Sequence, residues 1–249
     1  MHRVIVDQMP LAGQDLRIEG EEARHAVRVK RLEPGEVIEL LDGRGRVGRA
    51  RVQGAEKSGH KGEWSLISRI ESVDLRARVE PLIHVFAPAP KGDRLEEMID
   101  HLSQVGAASW TPLETIRTVR EPRQPRLERL ARVAAEAAKQ CGRAWALEIG
   151  EPRGLPEVLA EVDPGGRVVT IVCDAGGAPF GAQLVPPSAA EVRLLLGPEG
   201  DWDPRELERA RAGGVATASF GPHVMRIAQA ATAATAIVLH LTRCRGAKP

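Results

Sequence analysis

A chain of 249 residues has room for one large domain or two modest ones, and it is long enough to bury a real core. Its 35 Lys and Arg against 34 Asp and Glu leave a formal charge of +1, which excludes a global nucleic-acid signature and requires any basic surface to be local. Cys141, Cys173 and Cys244 show no Cys-x-x-Cys spacing, the first residues form no signal-peptide core, and no run of eighteen apolar residues occurs, so the expectation is a cytoplasmic protein with no metal and no membrane.

Up to about Val73, short alternating runs (Val4/Val6, Leu16/Ile18, Val37/Ile38/Leu40, Trp64/Leu66) are separated by glycines and charged turns. This pattern predicts a small β-rich domain over 1–73 with one helix at Glu21–Arg31. Gly43-Arg-Gly45-Arg-Val-Gly48 matches the glycine pattern of dinucleotide sites, but that pattern must open a helix. Here Arg49–Val52 alternates like a strand and Asp42-Gly43 is a hairpin signal, so a hairpin is expected.

From residue 74 the texture changes. Apolar strands at Leu82–Ala87, Ala107–Leu113, Arg167–Cys173 and Glu191–Leu196 alternate with helical segments, which predicts an α/β sheet. Leu95, Met98, Ile99 and Leu102 fall at helical spacing in Asp93–Val105, as do Leu127, Leu130, Ala134 and Ala138 in Arg126–Gln140. Arg117, Arg120, Arg123, Arg126, Arg129 and Arg132 recur every third residue against only Glu121 and Glu128. Such a stripe suits a phosphate backbone, and it equally suits a solvated loop and helix face. With no Tyr and three Phe, stacking platforms are scarce.

The C-terminal part carries the strongest local signals. The strand Glu191–Leu196 is stopped by Gly197, Pro198 and Gly200; Asp203 then reads as a helix N-cap, with Pro204 at the first helical position and Glu206 completing a capping box. The helix should reach Ala212 and stop at Gly213-Gly214. A short strand, Val215–Phe220, breaks at Gly221-Pro222, and Ala228–Thr242 reads as an alanine-rich apolar helix. Two glycine loops side by side at the carboxyl ends of parallel strands make a ligand cradle.

Leu196-Gly-Pro-Glu-Gly200 and Phe220-Gly-Pro-His-Val-Met-Arg226, with Lys91-Gly-Asp-Arg94, Pro112-Leu113 and Glu136-Ala-Ala-Lys-Gln-Cys-Gly-Arg143, resemble the ribosomal small-subunit RNA uridine-N3 methyltransferase family, one of the knotted SPOUT methyltransferases. His25, Arg31, Gly35 and Asp42-Gly43 stand in the order of that family's N-terminal domain. The resemblance implies an α/β fold: a SPOUT-type domain over 74–249 with a deep trefoil knot and a mostly parallel sheet, preceded over 1–73 by a small PUA-like β-barrel that binds RNA. It further implies S-adenosyl-L-methionine as cofactor, 16S rRNA in the small ribosomal subunit as partner, and a homodimer with active sites near the subunit interface.

Carried onto this chain, the resemblance places cofactor contacts at Leu196, Gly197, Pro198, Glu199, Gly200, Phe220, Gly221, Val224, Met225 and Arg226, with Arg226 also the catalytic candidate. It places RNA contacts at His25, Arg31, Lys91, Arg94, Arg117, Arg120 and Arg143. Arg226 cannot act as a base at neutral pH; it suits stabilising charge on the uracil oxygens or binding a phosphate, and a salt bridge is the plainer alternative. For Val224 and Met225 the alternative is core packing, and for Gly197 and Gly200 a simple turn. No general base stands out; Glu199 is the nearest carboxylate by motif, at least as suited to holding the knot together.

Three departures accompany the resemblance. The usual Thr-Glu-Thr-Ala after the loop arginine is Ile227-Ala228-Gln229-Ala230, the second glycine of the Gly-Gly pair is Asp201, and the Glu-Arg pair after Pro-Leu is Ile116-Arg117. Three readings stay open: an rRNA uridine-N3 methyltransferase, a SPOUT methyltransferase with a shifted RNA target, and a non-catalytic RNA- or ribosome-binding protein. For the arginine stripe, charge reversal at Arg120 and Arg126 is expected to weaken RNA binding and flatten its dependence on salt. An unchanged salt slope in a filter-binding titration would make the stripe a solvated face.

Overall fold

The computed structural model describes residues 1–58, 63–118 and 124–243. The chain forms two compact units: Met1–Arg78 with Ala138–Ala146, and Val79–Ala137 with Leu147–Pro249.

The first unit contains β1 (His2–Ile5), β2 (Asp15–Ile18), α1 (Gly20–Arg24), β3 (Val37–Leu41), β4 (Arg46–Ser58) and β5 (Glu63–Leu75). They form one sheet in the order β1-β3-β4-β5-β2, with β1 parallel to β3 and the other pairs antiparallel. Ile38 and Leu40 of β3, Ala50 and Val52 of β4, and Leu66 and Ile70 of β5 point to one face, where Val4, Ile18, Ala23 and Ala26 complete the core. This is the period-2 alternation of the sequence turned into a buried face.

The glycine-rich Gly43–Gly48 segment is a hairpin. Leu41 pairs with Val47, and the Asp42 carboxylate accepts the N–H groups of Arg44 (2.7 Å) and Arg46 (3.0 Å). The helix expected at Glu21–Arg31 is shorter in its α part. After Arg24 it widens into a π turn, His25–Val29, where Lys30 N–H donates to His25 O, and Arg31 takes a left-handed φ of 54°.

This unit also extends past the compositional boundary at Val73 and gathers in residues 138–146. Hydrogen bonds make it do so. Arg3 donates to the carbonyls of Lys139 and Gln140, the Lys139 ammonium meets Glu22 at 2.7 Å, and Gly45 N–H donates to Ala144 O.

The second unit runs β6 (Leu82–Ala87), α2 (Arg94–Val105), β7 (Ser109–Glu114), α3 (Gln124–Cys141, whose residues from Ala138 on belong to the first unit), β8 (Glu148–Ile149), β9 (Arg153–Gly154), α4 (Leu155–Ala160), β10 (Val168–Pro179), β11 (Glu191–Leu196), α5 (Pro204–Ala212), β12 (Ala216–Ser219) and α6 (Ile227–Arg243). Its strands form a parallel sheet in the order β12-β10-β11-β6-β7-β8, with β9 also on β7.

Both faces of this sheet are covered, which is why its strands read as continuous apolar runs. Ile83, Val85, Val192 and Leu194 pack with Leu95, Met98 and Ile99 of α2 and with Ala231, Ala234 and Val238 of α6. Phe86, Val172 and Leu195 on the opposite face pack with Leu155 and Val158 of α4, Trp202, and Ala210 of α5. The strand expected to end at Cys173 continues to Pro179, but not in register: Cys173 and Ala178 both pair with Ala218, so residues 174–177 leave the ladder as a bulge.

Ile99 is fully buried beneath the sheet. Ile99→Ala is therefore expected to cost about 2–5 kcal/mol in urea unfolding. A loss below about 1 kcal/mol would contradict this account of the core.

Candidate functional site

The carboxyl ends of β10, β11 and β12 lie side by side, and the loops leaving them surround a cavity of about 450 Å3. The first loop follows β11. Gly197 has no side chain because the Trp202 indole occupies that space: a Cβ there would stand 2.9 Å from the indole nitrogen and 3.0 Å from its ring carbon. The same indole, 5% exposed, donates its Nε1–H to Cys173 O at 3.0 Å. Gly197 is expected as a cofactor contact, with a simple turn as the alternative. The structure fills the space beside it with Trp202, so the loop is shaped by a protein side chain.

Asp201 takes a left-handed φ of 65°, the position where the resembled family carries a second glycine. Aspartate tolerates that region. Here its carboxylate accepts Trp202 N–H at 2.8 Å while its own N–H donates to Pro198 O at 3.0 Å, closing the turn. This departure therefore keeps the loop geometry.

Asp203 caps α5 through Arg205 N–H (3.1 Å), and the buried Glu206 carboxylate accepts both Asp203 N–H (3.2 Å) and Ile116 N–H (2.9 Å). Arg117 donates to Gly200 O at 2.8 Å and lies 3.8 Å from the Asp203 carboxylate. Residues 116–117 thus clamp the loop from outside. Ile116 contributes its backbone while its side chain stays 57% exposed, which makes its identity there unimportant to the clamp. Hydrogen bonding from the Arg205 side chain, and then from its backbone, holds the Asp203 carboxyl below the usual range.

The second loop follows β12. Phe220 stacks on Phe180 with centroids 4.9 Å apart, and Phe180 N–H donates to Ser219 O. Val224 is 86% exposed, so it is not core; Met225 is half-buried, and Arg226 is exposed and forms no salt bridge among the described residues. Arg226 O accepts Ala230 N–H as α6 begins.

Of the ten residues named as cofactor contacts, Leu196, Gly197, Pro198, Glu199, Phe220, Gly221, Val224, Met225 and Arg226 line the cavity. Gly200 does not: it is exposed, with its carbonyl taken by Arg117. Of the departure Ile227-Ala228-Gln229-Ala230, Gln229 is exposed and outside the lining, while Ala228 is buried in the packing of α6.

The residues named as RNA contacts are less concentrated. Arg94 lines the cavity, 4.0 Å from Glu199, and Lys91 is exposed just before α2. His25, stacked on His2 at 5.7 Å, and Arg31 are exposed in the first unit, where Arg143 is half-buried. Arg120 and the Arg126 side chain lie outside the described residues.

Sequence reasoning missed Cys173 at the end of the paired strand, Asp174 and Ala175 on the bulge, and Asp201, Trp202, Ala218, His223, Ile227 and Ala230 in the rest of the lining. Gly176-Gly177 directly after an apolar strand was the available signal for the bulge. Burial pushes the Cys173 thiol up, so it stays a neutral wall group. Among the described residues no group of three or more His, Cys, Asp or Glu is placed to hold a metal, and no helix is long and apolar enough to cross a membrane.

A cavity at the carboxyl rim of a parallel sheet, walled by glycine loops, defines an α/β protein built to hold a small molecule. The family profile for the RNA methyltransferase domain matches residues 78–239, and that for the RNA methyltransferase PUA domain matches residues 18–59. A ribosomal RNA small subunit methyltransferase E of Mycobacterium bovis is 30% identical over 245 residues, covering 95% of this chain and 90% of that protein. One from Synechocystis is 28% identical over 238 residues, covering 94% and 76%. A Legionella pneumophila protein solved with S-adenosylmethionine bound superposes with a TM-score of 0.78 at 26% identity over 96% of each chain. The Neisseria gonorrhoeae methyltransferase E structure, at 22% identity and a TM-score of 0.82 over 97% of this chain and 98% of that one, shares the fold. The chain belongs to the ribosomal RNA small subunit methyltransferase E family, within the SPOUT methyltransferases.

Two outcomes test this geometry. Gly197→Val is expected to displace the Trp202 indole, lowering stability by about 1–3 kcal/mol and red-shifting the tryptophan emission; an unchanged emission and midpoint would contradict the packing. Asp203→Ala is expected to lower the melting temperature near neutral pH. Because the folded-state pKa is depressed, that stabilisation is complete above the ordinary Asp range and is lost as pH falls through the folded value, so the two proteins should converge in acid. A difference that persists there would mean the cap does not act through its charge.

Proposed function

We propose that the protein is a cytoplasmic, S-adenosylmethionine-dependent methyltransferase acting on N3 of a uridine of 16S rRNA within the small ribosomal subunit. RNA binding is assigned to the first compact unit and methyl transfer to the second. The deep trefoil knot and the homodimer of the resembled family belong to this proposal.

The observation that carries it is the cavity between the β11 and β12 loops. Its volume of about 450 Å3 falls within the range of small-molecule sites, and its lining combines apolar Leu196, Phe220 and Met225 with the loop residues 197–199. That combination fits a nucleoside bearing an amino-acid tail. When bound, the cofactor supplies an activated methyl on a sulfonium, so the protein has only to align the nucleophile and manage charge.

Before the N–C bond can form, uracil N3 gives up its proton to solvent, and the negative charge left behind spreads to the flanking carbonyl oxygens; bond formation would then discharge that anion as the methyl–sulfur bond breaks and the sulfur leaves as a neutral thioether. Arg226, exposed on the second loop and free of salt bridges among the described residues, is suited to stabilise that charge. The buried Ala228, in place of a glutamate, favours a second reading in which the same chemistry meets a different RNA position.

Methyl transfer from labelled cofactor to small subunits of cells lacking the native enzyme, followed by nucleoside mass spectrometry, separates the readings. The expected product is 3-methyluridine. A different methylated nucleoside would establish the shifted target, and no incorporation would overturn the enzymatic reading. Arg226→Ala is expected to lower kcat by about 100-fold or more; an unchanged kcat would remove Arg226 from the chemistry.

A further inference from the structure

The cavity carries five charged side chains: Arg94, Asp174, Glu199, Asp201 and Arg226. Arg94 and Glu199 face each other at 4.0 Å, and Asp201 accepts the Trp202 N–H. Arg226 sits exposed on the outer loop. Asp174 differs from all of them: it is half-buried, and among the described residues its carboxylate forms no hydrogen bond or ion pair.

The fold presents this group deliberately. β10 lies between β11 and β12, so the bulge at residues 174–177 emerges between the two loops that wall the cavity. Gly177 lets the chain return, since a Cβ there would stand 3.0 Å from the Ala218 backbone. Bulges beside binding sites re-aim side chains in this way.

We propose that Asp174 is a cofactor-specificity residue, its carboxylate accepting hydrogen bonds from the α-ammonium of the amino-acid tail of S-adenosylmethionine. This rests on the cofactor reading above. A half-buried carboxylate has lost part of its hydration, and an opposite charge that also donates N–H bonds restores the most. The ammonium has three such donors. The sulfonium is charged but has none, and the ribose hydroxyls donate without charge, forming bonds roughly half as strong.

The test is calorimetric titration of the full chain with three ligands: S-adenosylmethionine and S-adenosylhomocysteine, which carry the amino-acid tail, and methylthioadenosine, which keeps the nucleoside and lacks it. Asp174→Asn is expected to weaken both tailed ligands by about tenfold or more and to change methylthioadenosine by less than about twofold. The melting temperature of the unliganded variant should match that of the parent, because the carboxylate forms no hydrogen bond or ion pair among the described residues. Equal weakening of all three ligands, or a lowered melting temperature accompanying it, would make Asp174 a residue of loop shape and overturn the assignment. A loss confined to S-adenosylmethionine would move the contact to the sulfonium and overturn it too, as would unchanged binding of every ligand. If the parent chain binds none of the three, the cofactor reading itself fails and the inference falls with it.

Discussion

The site depends on one side chain laid across a glycine. Trp202 fills the space where Gly197 has no Cβ and donates its indole N–H to Cys173 O, joining the loop after β11 to the end of β10. A buried indole requires a partner for its N–H, and a loop between parallel strands requires something to fix its course. One interaction meets both needs. It also places the bulge that begins at Asp174 against the loop that begins at Gly197. The Asp203–Glu206 capping box and the Ile116–Arg117 clamp then hold the far side of the same loop.

This framework explains which departures from the family pattern are tolerated. Asp201 replaces a glycine without unfolding the turn because its carboxylate accepts the next N–H in the left-handed conformation. Ile116 replaces a glutamate where only the backbone N–H is used. Ala228 is different in kind: it buries a methyl at the position where the resemblance leads one to expect a carboxylate.

Much of the fold was legible because local signals and burial agree. Leu95, Met98, Ile99 and Leu102 form a helical stripe that is buried in full, and Asp203, Pro204 and Glu206 cap a helix as written. The hairpin at Asp42–Gly45 was readable from its turn residues. What escaped depends on contacts distant in sequence. The bulge after Cys173 exists through pairing with Ala218, and the recruitment of residues 138–146 through Arg3 and Glu22. Val224 is expected as a cofactor contact with core packing as the alternative, and its 86% exposure at the cavity edge removes the alternative.

The central claim is that the loops after β10, β11 and β12 together hold S-adenosylmethionine. Amide hydrogen exchange of the full chain with and without the cofactor tests this most directly, since it reports where protection appears. The account predicts slowed exchange at residues 173–177, 197–202 and 220–230, with the sheet of the first unit unchanged. Protection absent from those segments, or confined to the first unit, would contradict it.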